Sequence, residues 1–297
     1  MRTQRSRKLK SDIVQPIALV PRGLTIPATE LAEVSSAIQI QLMRDFGPAW
    51  GVQASCVAYP SLVDVPSGYL PIFVVPDAKG KAGMHYPAAH PDEPPFAIVT
   101  YQTNLMWSCA ASHEVIELLV DPTGARFVIG QSPIASGAMV SFLVEACDPC
   151  QDIAFAYQVD GQHAALVSDF CLPSYYGLGL STAPFSFRGS VLAPFSVGIG
   201  GYLSWRDDAG EWFQLRSIAG PAQVFGPLSA ADVLGDQPPP SYRGWLDRLV
   251  TGYAGPEIHR KRSRSVLRAT SAVNRAAKER RDRRNRTIER YLNGLAL

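Results

Sequence analysis

The residues with the clearest chemical potential lie in WSCAASHEVIELLVDPTG, Trp107–Gly124, where an apolar run carries His113, Glu114, Glu117 and Asp121. Wound as an α-helix, the segment places His113 and Glu117 one turn apart, ~6 Å along the axis and nearly in line. Asp121 continues that line, and Glu114 lies about 100° round from His113. Val115, Ile116, Leu118, Leu119 and Val120 fill the rest of the circumference, so the helix is expected to be buried. Buried carboxylates are costly unless paired or bound to a cation, and no Lys or Arg occurs between Lys81 and Arg126 to pair locally. A divalent cation satisfies these acids; the competing reading is a polar stripe facing solvent, with His113 and Glu117 as an ordinary surface pair. Asp121 precedes Pro122, at a helix end where an anion opposes the dipole and needs a specific partner. EACD, 145–148, adds Glu145 and Asp148 directly after another apolar run. His113, Glu117 and one distant carboxylate have the ligand count of a catalytic zinc centre with one position left open.

The window resembles the zincin metallopeptidases, whose active helix carries His-Glu-x-x-His, the two histidines binding zinc and the Glu acting as general base. The resemblance assigns His113 as first ligand, Glu114 as base and Glu117 as second ligand. It also makes Glu145 the third ligand, on a following segment, with Asp148 as a further ligand or its support, at a spacing one residue different. Glu117 departs from the pattern, standing where a histidine is usual. The longer pattern SHEVIELLVDP…EACDPC…VSDFCLP is similar to a group of bacterial zincin-like proteins over roughly residues 15–220, and it implies no particular substrate. One imidazole and two carboxylates neutralise a divalent ion, so its bound water is acidified less and a carbonyl polarised less. Zn²⁺ is the expected ion, and the oxygen-rich ligation also admits Mn²⁺ or Ca²⁺. The function implied is metal-dependent hydrolysis of a peptide or protein substrate. The alternative is a non-catalytic assembly protein on the same scaffold.

Other candidates carry less. His85, in AGMHYPAAHPDEPPF, reads as a solvated loop residue, or less readily as the rim of a cleft; His90 is weaker still. Asp169 reads as a buried, hydrogen-bonded carboxylate rather than a ligand. Tyr175 and Tyr176 could donate to an oxyanion, but in a Pro-flanked turn they read as packing residues, and His163 reads as exposed. CDPC, 147–150, is one Cys-x-x-Cys pair where a structural zinc normally needs four ligands, so a local disulfide or two half-buried thiols is expected. Five cysteines argue against a secreted disulfide scaffold. No Gly-rich phosphate loop is present.

The elements that must position these residues read as an α+β fold: a zincin-like mixed sheet with an active-site helix, a β-rich addition and a basic helical tail. IPATELAEVSSAIQIQLMRDFGPAW predicts a helix opened at Pro27 or Thr29 and closed at Gly47-Pro48. GVQASCVAYP, GYLPIFVVPD and PPFAIVTYQT predict strands, and MVSFLVEACDP is either strand or helix. Asp160-Gly161 marks one hairpin, and GGYLSWRDDAGEWFQL predicts a second with its tip near Asp208-Ala209-Gly210. The divisions expected are a basic arm 1–14, the metal-binding domain 15–180, the β-rich addition 181–236, a proline-stiffened linker 237–262 and the tail 263–297.

Charge is unevenly placed. Residues 259–290 carry 13 Lys/Arg against three acids and the first ten residues carry five Lys/Arg, so the net +2 of the 297-residue chain leaves −13 on the remainder. The tail is expected to dock on that acidic body, on a second copy or on a partner; non-specific nucleic-acid binding ranks second. No apolar run is long enough to cross a bilayer. The basic start lacks an uninterrupted apolar core, because Gln15, Pro16 and Pro21 break it, so a cytoplasmic location is expected.

Overall fold

Pro16 and Pro21 lie near the two ends of a strand. β1, Gln15–Pro21, buries Ile17, Ala18, Leu19 and Val20 completely or nearly so and lies inside a five-stranded sheet. The computed structural model describes residues 14–228 apart from 79, 89–93, 104, 180–181 and 219, together with Arg286. The expectations for the N-terminal arm, the linker and nearly all of the basic tail therefore lie outside the described residues, as does His90.

After β1 come α1 (Ala28–Ile40), a π-helical turn (Gln41–Phe46) and α2 (Gly47–Trp50). The helix therefore runs past Gly47-Pro48, which was expected to close it. Proline in a first helical turn has no amide hydrogen bond to lose, and the path ends instead at Gly51, left-handed at φ 67°. β2 (Ala54–Ala58), β3 (Leu70–Val75), β4 (Gly83–Tyr86) and β5 (Phe96–Thr100) complete the first sheet, in the order β2-β1-β3-β5-β4. All its pairs are parallel except the edge strand β4, which runs antiparallel to β5. Every residue of β3 is buried, as expected for a parallel sheet covered on both faces. One face packs Ile17, Leu19, Ile72 and Val99 into the main core with the helices. The other packs Ala18, Val20, Phe73 and Ile98 under Leu62 and Val65 of the 59–69 connection.

α3 (Trp107–Val120) follows β5. β6 (Phe127–Gln131) and β7 (Met139–Leu143) then begin a second, antiparallel sheet, so MVSFL is a strand. β8 (Tyr157–Gln158) and β9 (Leu166–Val167) form the hairpin around Asp160-Gly161. β10 (Tyr202–Arg206), β11 (Trp212–Arg216) and β12 (Gln223–Leu228) finish the second sheet in the order β12-β11-β10-β7-β6. Because β10 pairs with β7, this sheet takes strands from both sides of residue 180. The main core likewise continues from α1 and α3 into Phe142, Leu203, Trp205 and Phe213. The architecture is mixed α+β, and no helix among the described residues is long and apolar enough to cross a membrane.

Candidate metal centre

α3 is buried nearly all round, with Val115, Ile116 and Leu118 wholly enclosed. Each such side chain contributes roughly 1.5–3 kcal/mol, and the helix they fix carries three ionisable groups inward with them. His113 and Glu117 share a face: His113 Nε2 lies 3.2 Å from Glu117 Oε2. Past β7 the chain turns through Asp148–Cys150 and brings Asp148 Oδ1 to 3.4 Å from the same His113 nitrogen. Glu117 Oε1 accepts the amide of Cys147 (3.2 Å), tying helix to turn. Glu145 reaches the centre from the other side. It meets His85, whose Nε2 lies 3.8 Å from Glu145 Oε2 and whose Nδ1 lies 3.5 Å from Glu114 Oε2 and 3.7 Å from Glu117 Oε2.

The residues named from the sequence thus converge: His113, Glu114, Glu117, Glu145 and Asp148 line one buried centre, none more than 8% exposed. Asp121 does not join them. Its carboxylate accepts from Thr123 N and Oγ1 and from Arg126 N, so the turn after the helix satisfies the acid that the dipole argument had set aside for a specific partner. Asp169 is likewise held locally, by the amides of Phe170 and Arg188 and the hydroxyl of Ser190, and burial raises its pKa. Tyr175 donates to Ser196 O, and Tyr176 to the carbonyl of Glu145 (2.6 Å). Both are packing residues; the second fixes the backbone that presents Glu145. His163 is part-buried and bonded to Asp160 (2.8 Å).

Besides His163, three residues stand differently from the sequence reading: His85, Cys147 and Cys150. His85 is a fully buried residue of β4, not a solvated loop histidine. The signal was the alternation in Gly83-Met84-His85-Tyr86: Met84 and Tyr86 pack with the core on the far face of the sheet, so Gly83 and His85 share the near face, toward α3. Cys147 was weighed only as half of a Cys-x-x-Cys pair. Cys147 and Cys150 are free and fully buried rather than disulfide-bonded or half-buried, and Cys147 Sγ belongs with His113 and Glu117 to a set of donor atoms all within 4.8 Å of one another.

Electrostatics support a cation at this position. Burial by itself lowers the pKa of His113, but Glu117 and Asp148 outweigh it and hold the imidazole well above its ordinary value. The centre therefore favours the charged imidazole, and a metal ion would compete with that proton for the same nitrogen. Burial pushes the Cys147 thiol well up, and the neighbouring Glu117 adds to that. Comparison of the chain with protein-family models, with curated proteins and with solved structures gives no match, so the functional reading rests on the residues and their geometry.

Proposed function

We propose that the chain is a zincin-like, metal-dependent hydrolase acting on peptide bonds, with His113, Glu117, Glu145 and Asp148 as the metal-holding residues and Glu114 as the general base. One observation carries the reading: His113 Nε2 lies 3.2 Å from Glu117 Oε2 and 3.4 Å from Asp148 Oδ1. The first separation stands at the long limit of an N–H···O hydrogen bond and the second beyond it. An ion ~2.05 Å from each atom would subtend about 103–112° between them, close to a tetrahedron. The donors also fit the ion: imidazole, carboxylate and a nearby thiol suit Zn²⁺, or Mn²⁺, better than Ca²⁺, which prefers oxygen alone. When bound, the ion supplies Lewis-acid polarisation of water and of a carbonyl.

In this reading Glu114 accepts the proton that the attacking water loses and passes it to the leaving amine. Its Oε2 is buried and makes no hydrogen bond, with His85 Nδ1 3.5 Å away. His113, at 8%, is the most exposed of the group. The near closure of the centre favours a second reading, a structural ion in an assembly protein whose basic tail binds a partner subunit or nucleic acid.

Elemental analysis of the purified full-length chain tests the metal reading. Zinc at one equivalent or more, reduced in His113→Ala, supports it; no metal in wild type or variant overturns it. Glu114→Gln then divides the two readings. Turnover of a denatured protein substrate should fall about 10²–10⁴-fold with zinc retained, whereas a purely structural ion leaves no turnover to lose.

A further inference from the structure

Glu117 stands between two imidazoles. Its Oε2 lies 3.2 Å from His113 Nε2 and 3.7 Å from His85 Nδ1, while Oε1 is taken by the amide of Cys147. The donor atoms around it fall into two sets, each gathered within 4.8 Å: His113, Glu117 and Cys147, and His85, Glu117 and Glu145. Glu117 is the one residue common to both.

The second set is more than a cluster of acids. His85 has no exposed surface, and neither of its ring nitrogens has a hydrogen-bond partner, although both point at carboxylates. Its separations of 3.5, 3.7 and 3.8 Å are too long for hydrogen bonds. Nδ1 faces Glu114 and Glu117 while Nε2 faces Glu145, so an ion takes one of the two nitrogens; one ring nitrogen of His85, one oxygen of Glu117 and one of Glu145 all lie within 4.8 Å of one another, close enough to share it. Charge points the same way. Four carboxylates and two imidazoles carry four formal negative charges when the acids are ionised, so one divalent ion offsets half of that charge and a pair offsets all of it.

We propose that the centre holds two divalent cations bridged by the Glu117 carboxylate, with His113, Asp148 and Cys147 on one side and His85 and Glu145 on the other. The proposal rests on the metal-binding reading above and adds a second subsite to it. Bridged pairs of this kind, about 3.5–4 Å apart, clamp the attacking and leaving atoms of a hydrolytic displacement.

Chelator-stripped full-length protein dialysed against Mn²⁺ or Zn²⁺ gives the test. The wild type should bind two equivalents, His85→Ala and His113→Ala one each, and Glu117→Gln less than one. The saturated Mn²⁺ form should show an exchange-coupled spectrum by electron paramagnetic resonance, a measurement on the wild type that stands even where His85→Ala fails to fold. One equivalent in the wild type overturns the second subsite and leaves the single-ion reading standing. Two uncoupled ions overturn the bridge. No bound ion overturns both this proposal and the reading beneath it.

Discussion

A methyl group added to Gly83 would stand 2.7 Å from both Cγ and Oε1 of Glu114, well inside the ~3.5–4.0 Å at which carbon atoms pack. The glycine is there for space: it is the hollow in β4 into which the proposed base fits, with His85 two residues on. Gly83→Ala should therefore turn Glu114 aside at a cost of about 1–3 kcal/mol, keep its zinc, and lose turnover to the same degree as Glu114→Gln. Full turnover in Gly83→Ala, measured beside its zinc content, would remove Glu114 from the base role. The inward acids were legible because an apolar helix with no local cation makes them conspicuous at His113, Glu114 and Glu117. His85 was not, because a four-residue edge strand among prolines and glycines gives too short an alternation to outweigh its loop-like composition. Asp121 misled in the other direction, since the hydroxyl and two amides that satisfy it come from Thr123 and Arg126, ordinary turn residues with no signature of their own.

At the level of elements, the centre depends on the turn Asp148–Cys150 being pressed against the second sheet. Gly198 donates its amide to the carbonyl of Pro149 (2.8 Å), and a side chain on Gly201 would collide with the backbone of Asp148 and Pro149. Backbone cannot swing aside as a flexible side chain can, so Gly201→Ala should lift the turn that carries Asp148 toward His113. Thermal unfolding is expected to show a loss of at least about 1–3 kcal/mol, accompanied by reduced zinc content. Gly161→Ala, where a methyl group meets nothing within 4 Å, should stay within about 0.5 kcal/mol of wild type. Equal behaviour of the two variants would detach the turn from the centre. This coupling could not be read in advance: Gly201 is 53 positions from Asp148, and its composition context says only that a strand is about to begin. β2, β3 and β5 were plain, as were the hairpins of β8 and β9 and of β10 and β11, whereas β4, β6 and β12 were not read, β7 was left open between strand and helix, and β1 was hidden by Pro16 and Pro21, which lie near its two ends.

On the scale of the whole molecule, one apolar cluster runs from the helices and first sheet into the second sheet, joining Ile17 and Val99 to Phe142 and Trp205. Such continuity should make the two sheets unfold together, and the thiols can report it. Cys56 lies on β2, Cys109 on α3, Cys147 and Cys150 at the turn, and Cys171 beyond β9, all free and buried. Burial pushes Cys56 up to about 12 and Cys109 to about 11, and it also raises Cys147, Cys150 and Cys171. An alkylating agent at pH 8 therefore finds almost no thiolate in the folded protein and must wait for opening. A ligand that binds only the folded state at a hundred times its Kd adds ~2.7 kcal/mol, so open molecules become about 100-fold rarer. Where reclosing outpaces the reagent, saturating zinc should slow labelling of all five thiols by that factor, followed residue by residue in the mass spectrum of digested protein. Slowing confined to Cys147 and Cys150, with Cys56 labelled at its metal-free rate, would mean that the sheets open separately and that the centre holds together only the layer in which it sits.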